Sequence, residues 1–65
     1  MIADKIKNAR TIKKLTQEQV AEDLNVSRQT ISNWENGINE PKISYLKAIA
    51  VYFNVSTDYL LGLED

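Results

Sequence analysis

Apolar residues recur every three or four positions along this chain and predict five short helices. The first helix is expected over residues 2–13, where Ile2, Ile6 and Ala9 share one stripe. Two helices are expected within residues 16–37, a fourth over residues 43–53, and a last over about residues 57–61. The pattern predicts an all-α fold with one core, formed by Ile6, Ala9, Leu15, Val20, Ala21, Leu24, Val26, Ile31, Trp34, Leu46, Ile49, Phe53, Val55 and Leu60.

Residues 16–37 have the form of two helices joined by a tight turn. Thr16 and Gln19 have the spacing of a capping box at the start of the first of these helices. Asn25 tolerates the left-handed conformation that the turn requires, and Ser27 is a good N-cap for the next helix. Gly37 stands where a left-handed residue would end that helix.

The second of these helices, over about residues 28–36, has two opposed faces. At 3.6 residues per turn, five polar residues fall within an arc of about 140°: Arg28, Gln29, Ser32, Asn33 and Asn36. Ile31 and Trp34 lie opposite, so we expect Trp34 in the core and not as a stacking platform for single-stranded bases. A solvated face usually carries Lys and Glu, whereas guanidinium, amide and hydroxyl groups suit base edges and phosphates.

Three of the connections predict further backbone features. Lys14 would have to end the first helix in a left-handed conformation, which a Lys tolerates poorly. Residues 37–42 are expected to form a loop in which Pro41 fixes the chain before the fourth helix. Asn54 can take the left-handed position after that helix, and Ser56 can cap the last one.

Length and composition limit the possible functions. The 65 residues predict a single domain, and they include neither Cys nor His, the commonest metal ligands and general base. No nucleophile–base pair or Gly-rich phosphate loop is present, so we expect no enzyme, no cofactor and no effector site. No apolar run is long enough to span a membrane, and the charged N-terminus MIADKIKNAR is not a signal peptide. We therefore expect a soluble, cytoplasmic protein.

The charge is unevenly distributed along the chain. The net charge is −1, which argues against simple attraction to nucleic acid. Residues 1–33 nevertheless carry six basic against four acidic residues, a net charge of +2, and residues 34–65 carry −3. Such a domain can place its positive end on a phosphate backbone, although its non-specific affinity for DNA should be weak.

The motifs resemble those of a known family. The run LTQEQVAEDLNVSRQTISNWENG, with Pro41 four residues after it, is similar to lambda-repressor/Cro-like helix-turn-helix domains, often called the XRE type. The segment IAVYFNVSTDYLLG shows the same resemblance, which covers about residues 2–62. It implies a compact five-helix domain whose third helix enters the major groove of DNA. It also implies a transcriptional repressor that binds a pseudo-palindromic operator as a homodimer.

The resemblance assigns roles to particular residues. It implies base reading by Arg28, Gln29, Ser32 and Asn33, and backbone contacts by Gln17, Ser27, Asn36 and Lys42, beside the helix N-terminus at Thr16. It implies a structural pair between Arg10 and Glu35 near the DNA, and a dimer surface at the C-terminal end that involves Tyr59, Leu61 and Leu63.

The sequence departs from the family pattern at three positions and leaves alternatives open. Lys14 and Asn25 stand where the family frequently has Gly, and Lys42 stands where an N-cap Ser or Asp is common. We expect a phosphate contact of Lys42 to compensate for the lost cap. The acidic balance also suits a protein-interaction module of the same fold, such as an antitoxin or an adaptor. A further alternative is the N-terminal domain of a longer regulator.

Overall fold

The computed structural model describes residues 2–64, and within that range the chain forms five helices and no strand. The helices are α1 (Ile2–Ile12), α2 (Gln17–Leu24), α3 (Arg28–Glu35), α4 (Ile43–Phe53) and α5 (Thr57–Leu60). The predicted all-α fold is confirmed. α1 and α5 each end one residue earlier than the sequence pattern indicates, and Asn36 is the C-cap of α3 instead of its last residue.

Hydroxyl side chains begin three of the helices. The Thr16 side chain accepts a hydrogen bond from the Gln19 N–H, and the Gln19 side chain accepts one from the Thr16 N–H, so the capping box is complete. Ser27 and Ser56 cap α3 and α5 in the same way, each accepting from the backbone N–H three residues later. Each such cap is typically worth about 1 kcal/mol, which matters in a domain this small.

Left-handed residues follow all five helices: Gly37, as predicted, and Gly62 follow α3 and α5, and residues other than glycine follow the remaining three. Lys14, Asn25 and Asn54 have φ angles of 58°, 60° and 57°, as expected from the sequence. After Lys14 the chain closes with a bond from the Leu15 N–H to the Arg10 carbonyl, 3.1 Å long. Equivalent bonds run across the other two turns, and they satisfy carbonyls that a helix end would otherwise leave free.

The core lies where α1, α3, α4 and α5 meet, with α2 packed on α3. Its fully buried large side chains are Phe53, Ile6, Ile31, Ile49, Leu60 and Val20. Burial of each contributes about 1.5–3 kcal/mol relative to exposure. Four predicted core residues, Leu15, Leu24, Val26 and Val55, are only half-buried, because they lie in or beside the connections at the rim of the core.

Trp34 is a core residue, as predicted. It is 4% exposed, and its ring lies 5.6 Å from the ring of Tyr45 on α4, tilted by 53°. The buried edge of α3 therefore anchors this helix on the rest of the domain and turns the opposite face outward. Among residues 2–64, no helix is long and apolar enough to cross a membrane.

Candidate nucleic-acid interface

The outward side of α3 carries the five polar residues that the sequence groups together. We call this surface the recognition face: Arg28, Gln29, Ser32, Asn33 and Asn36. The side chains of Arg28, Gln29 and Asn36 are exposed, whereas those of Ser32 and Asn33 are half-buried. Because the inner side of the same helix is locked into the core, the recognition face is held on a rigid support.

Hydrogen bonds join four of these residues in two pairs. The Gln29 Nε2 donates to the Asn33 Oδ1 at 2.9 Å, and the Asn36 Nδ2 donates to the Ser32 Oγ at 3.2 Å. Both pairs have the i, i+4 spacing that brings side chains together on a helix surface. The polar groups of the face are therefore partly ordered before any ligand binds.

A groove lies beside the recognition face, at the start of α2. Seven residues line it, and we call it the α2 groove: Arg10, Lys14, Leu15, Thr16, Gln17, Glu18 and Arg28. Three of these side chains are cationic and one is acidic. The first turn of α2 adds backbone N–H groups and the partial positive charge of a helix N-terminus. Such a groove suits an anion, and phosphate is the anion that nucleic acids present.

A buried network connects the α2 groove to the end of α3. The Glu35 side chain is 2% exposed, and it accepts from the Arg10 Nε at 2.6 Å and from the Arg10 Nη2 at 2.9 Å. The Arg10 Nη1 also donates to the Leu15 carbonyl at 2.8 Å. The hydrogen bond and the charge of Glu35 raise the pKa of Arg10, against the opposing effect of burial.

Gln17 belongs to the same network. Its Nε2 donates to the Glu35 Oε1 at 3.1 Å, so the amide of Gln17 is held against the buried carboxylate. One amide N–H of Gln17 is thereby occupied, and within residues 2–64 the other makes no hydrogen bond. The network ties α1, the start of α2 and the end of α3 into one unit.

The remaining residues with predicted backbone contacts lie at the edges of the recognition face. Ser27 caps α3, and its hydroxyl also lies 2.8 Å from that of Thr30. Lys42 precedes α4, is exposed and makes no side-chain cap bond, as the lost N-cap predicts. It lines a second groove beside α3, together with Thr30, Trp34, Asn39, Glu40 and Tyr45.

The predicted dimer residues lie together at the C-terminal end of the described chain. Leu61 and Leu63 are exposed, whereas Tyr59 is half-buried against the core. The Lys5 Nζ lies 4.7 Å from the centre of the Tyr59 ring, so one part of this aromatic surface is already covered by a cation.

The sequence pattern does not indicate two contributions to the site. It predicts Lys14 only as a strained turn residue, yet the Lys14 side chain lines the α2 groove. The signal is its charge at a position where the family that the sequence resembles frequently has Gly. The bond from Gln17 to Glu35 joins residues 18 positions apart, and no local pattern indicates it.

The sequence pattern of the helix-turn-helix family matches residues 6–60, which is most of the chain. The chain belongs to this family, of the XRE type. In this helix-turn-helix, α2 and α3 are the two helices of the motif, and the turn between them is centred on Asn25. The family consists of DNA-binding domains of transcription regulators and not of enzymes. Within residues 2–64, no cluster of acidic side chains is arranged to hold a metal ion.

Individual relatives agree with this helix-turn-helix assignment. The chain is 48% identical over 62 residues to the HTH-type transcriptional activator BcrR of Enterococcus faecalis, and this match covers 95% of the chain but 30% of BcrR. It is 36% identical over 64 residues to the HTH-type transcriptional regulator ImmR of Bacillus subtilis, with 98% of the chain and 50% of ImmR covered. An uncharacterised regulator of Methanocaldococcus jannaschii, MJ0272, is 39% identical over 62 residues, with 95% and 94% covered.

Proposed function

We propose that residues 1–65 form one domain that binds specific sequences of double-stranded DNA by placing α3 in the major groove. The observation that carries this proposal is the recognition face, which has five hydrogen-bonding side chains and no acidic one. Arg28 suits the N7 and O6 acceptors of guanine, and Gln29 suits the N6 and N7 of adenine. Ser32 and Asn33 lie one turn further along the helix and extend the contact to neighbouring bases.

We propose that the residues around the recognition face contact the sugar-phosphate backbone of the DNA. The α2 groove supports this role for Thr16 and Gln17, because it combines a helix N-terminus with three cationic side chains. Ser27 and Asn36 flank α3 at its two ends, and Lys42 lies beyond it. The pair of Arg10 and Glu35 then acts as a support close to the phosphates.

We propose that the protein is a repressor, which binds a pseudo-palindromic operator as a homodimer. The two copies of α3 would lie in successive major grooves, about 34 Å apart. Tyr59, Leu61 and Leu63 are the proposed contacts between copies, supported by the exposed apolar side chains of the last two. Repression is the simpler outcome for a domain that occupies DNA, since it needs no contact with polymerase. BcrR is named an activator, so a polymerase contact is the competing possibility.

Two alternatives are supported by specific observations. The net charge of −1 favours a protein-interaction module of the same fold. The match covers 30% of BcrR and 50% of ImmR, which favours a DNA-binding domain within a longer regulator. The cytoplasmic location and the absence of an effector remain predictions.

The decisive experiment is selection of binding sites from a random duplex library at low salt. Enrichment of one short pseudo-palindrome, with half-sites about one helical turn apart, supports a dimeric protein that reads sequence. Failure of the folded protein to enrich any sequence contradicts the proposal and favours the interaction module.

Variants of the enriched complex then separate the two kinds of contact. Gln29→Ala should cost about 1–3 kcal/mol at one base pair and relax specificity there. Lys42→Ala should weaken binding to all sequences alike and reduce the dependence on salt. Lys47→Ala, at an exposed position of α4 outside both grooves, is the matched control. Equal losses on every sequence for both test variants would refute this division of roles.

A further inference from the structure

The hydrogen bond between Gln29 and Asn33 gives the Asn33 amide a direction. Its Oδ1 accepts from the Gln29 Nε2 at 2.9 Å and is therefore turned toward the start of α3. Its Nδ2 has two hydrogens and, within residues 2–64, no hydrogen-bond partner. The donor group of Asn33 is consequently the one left to face a ligand.

Two features of the surroundings favour this direction over the reverse. The oxygen of Asn33 points toward the N-terminus of α3, where the partial positive charge of the helix attracts an acceptor. Asn33 is also half-buried, so its side chain has less freedom to turn than an exposed one. Gln29 is the exposed partner that supplies the donor.

Base edges in the major groove differ in the acceptors that they offer to a donor such as the Asn33 Nδ2. Guanine presents the acceptors N7 and O6, and thymine presents O4, whereas cytosine presents only the N4 donor. Adenine presents the N7 acceptor beside the N6 donor, so its bidentate recognition would require the Asn33 oxygen, which is turned toward Gln29, to face the base as well. Guanine and thymine require nothing from that oxygen.

We propose that Asn33 reads guanine or thymine through its Nδ2, and that Gln29 is the positioning residue that holds the amide in this direction. The proposal rests on the proposed function, since it requires α3 to lie in the major groove. It adds the chemical class of the base that one residue selects. It also gives Gln29 a second role beside its own base contact.

Asn33→Asp is the first test, carried out on the sequence enriched by the wild-type protein. The carboxylate still accepts from the Gln29 Nε2 but has no donor to offer to DNA. At one base pair we expect the preference for guanine or thymine to fall about tenfold, which is the loss expected from one good base contact. The base preferences at the other positions of the site should not change. Gln19→Glu adds the same charge on α2 and keeps its capping bond, so it controls for repulsion by phosphates.

Gln29→Glu tests the positioning role. A carboxylate at this position can only accept, so Asn33 must turn its Nδ2 toward it and present its Oδ1 to DNA. At the base pair identified with Asn33→Asp, the preferred edge should then change from guanine or thymine to adenine or cytosine. If Gln29 had a purely structural role, Gln29→Glu would weaken binding to sites with any of the four bases alike, and the preferred base edge would stay the same.

The outcomes separate this proposal from the proposed function. If Asn33→Asp keeps the wild-type preference, or if the affected base proves to be adenine or cytosine, the inference about Asn33 is wrong while sequence-specific binding stands. An unchanged edge in Gln29→Glu overturns the positioning role alone. If the folded wild-type protein enriches no sequence at all, both the proposed function and this inference fail.

Discussion

At Lys14 the backbone adopts a left-handed conformation, with φ 58°, that costs a residue with a side chain about 1–2 kcal/mol. The same residue lines the α2 groove with Arg10 and Arg28, where its charge favours an anion. A Gly would relieve the strain and remove the charge. The choice of Lys is therefore consistent with a phosphate contact at the expense of stability.

Lys14→Gly should raise the free energy of unfolding by about 1 kcal/mol, because Gly adopts positive φ without a steric penalty. Urea denaturation followed by circular dichroism measures this change. Lys13→Gly is the matched control, since Lys13 lies outside the left-handed conformation and should lose stability instead. If Lys14→Gly is less stable than the wild-type protein, the proposed strain does not exist. DNA affinity should fall in Lys14→Gly if Lys14 contacts phosphate. A fall in Lys13→Gly as well would mean that both lysines contact phosphate.

The helices themselves could be predicted because their limits depend on local chemistry. Thr16 and Ser27 bond to N–H groups three residues away, and Asn25 acts through its own φ angle, so each can be recognised in a short window of sequence. The contacts between helices could not be predicted this way. Gln17 meets Glu35 across 18 positions, and that contact depends on how α2 packs against α3. The composition of the recognition face was predictable from the helical period, whereas its internal hydrogen bonds depend on rotamers.

The ion pair between α1 and α3 should be costly to break on one side only. Arg10→Met leaves the buried carboxylate of Glu35 with Gln17 as its remaining donor, and removal of one partner of a buried pair typically costs about 3–5 kcal/mol. Thermal unfolding followed by circular dichroism should show this loss. Replacing both residues, as Arg10→Met with Glu35→Met, should recover part of it, because no charge is then buried alone. Additive losses in the double variant would show that the pair is not coupled.

A hydrogen bond between α2 and α4 should make stability depend on alkaline pH. The Tyr52 hydroxyl donates to the Asp23 Oδ2 at 2.6 Å, and burial, followed by the bond and the charge of Asp23, raises the pKa of Tyr52 to about 12. The ordinary value is about 10. The folded state thus holds this proton more tightly, so the contribution is fully present below about pH 10 and is lost as pH rises through about 12.

Tyr52→Phe removes both the bond and its pH dependence. Near neutral pH, the variant should be less stable by about 1 kcal/mol, the usual net value of one hydrogen bond. Urea unfolding at a series of pH values should show the difference from wild type shrinking above about pH 10. Tyr45→Phe is the control, since within residues 2–64 the Tyr45 hydroxyl has no hydrogen-bond partner. A constant difference across this range would contradict the assignment of the shift to Tyr52.

The whole domain concentrates a positive surface on a chain whose net charge is −1. The fold brings Arg10 and Lys14, from the end of α1 and the turn after it, next to Arg28 of α3. The α2 groove thus holds three cationic side chains against the acidic Glu18, a local charge opposite in sign to the total. This arrangement explains how an acidic chain can approach phosphates at one end only. It also limits non-specific binding, which depends on the number of phosphates neutralised.

The dimensions of the domain restrict how two copies can meet on DNA. Residues 2–64 measure 28 × 23 × 19 Å, and half-sites one turn apart are separated by about 34 Å. If the long axes of two copies followed the DNA, a gap of about 6 Å would separate them, which side chains can fill. We expect Leu61 and Leu63 to supply those side chains, because both are exposed.

Insertion of about 5 base pairs between the half-sites turns one of them to the opposite side of the DNA, since a turn takes about 10–10.5 base pairs. Cooperative binding, measured by titration of duplexes with one and two half-sites, should then disappear. The double variant Leu61→Ser with Leu63→Ser should lose cooperativity at the natural spacing and keep its affinity for a single half-site. Cooperativity that survives the insertion would mean that the copies do not touch, and the coupling would then have to pass through the DNA itself.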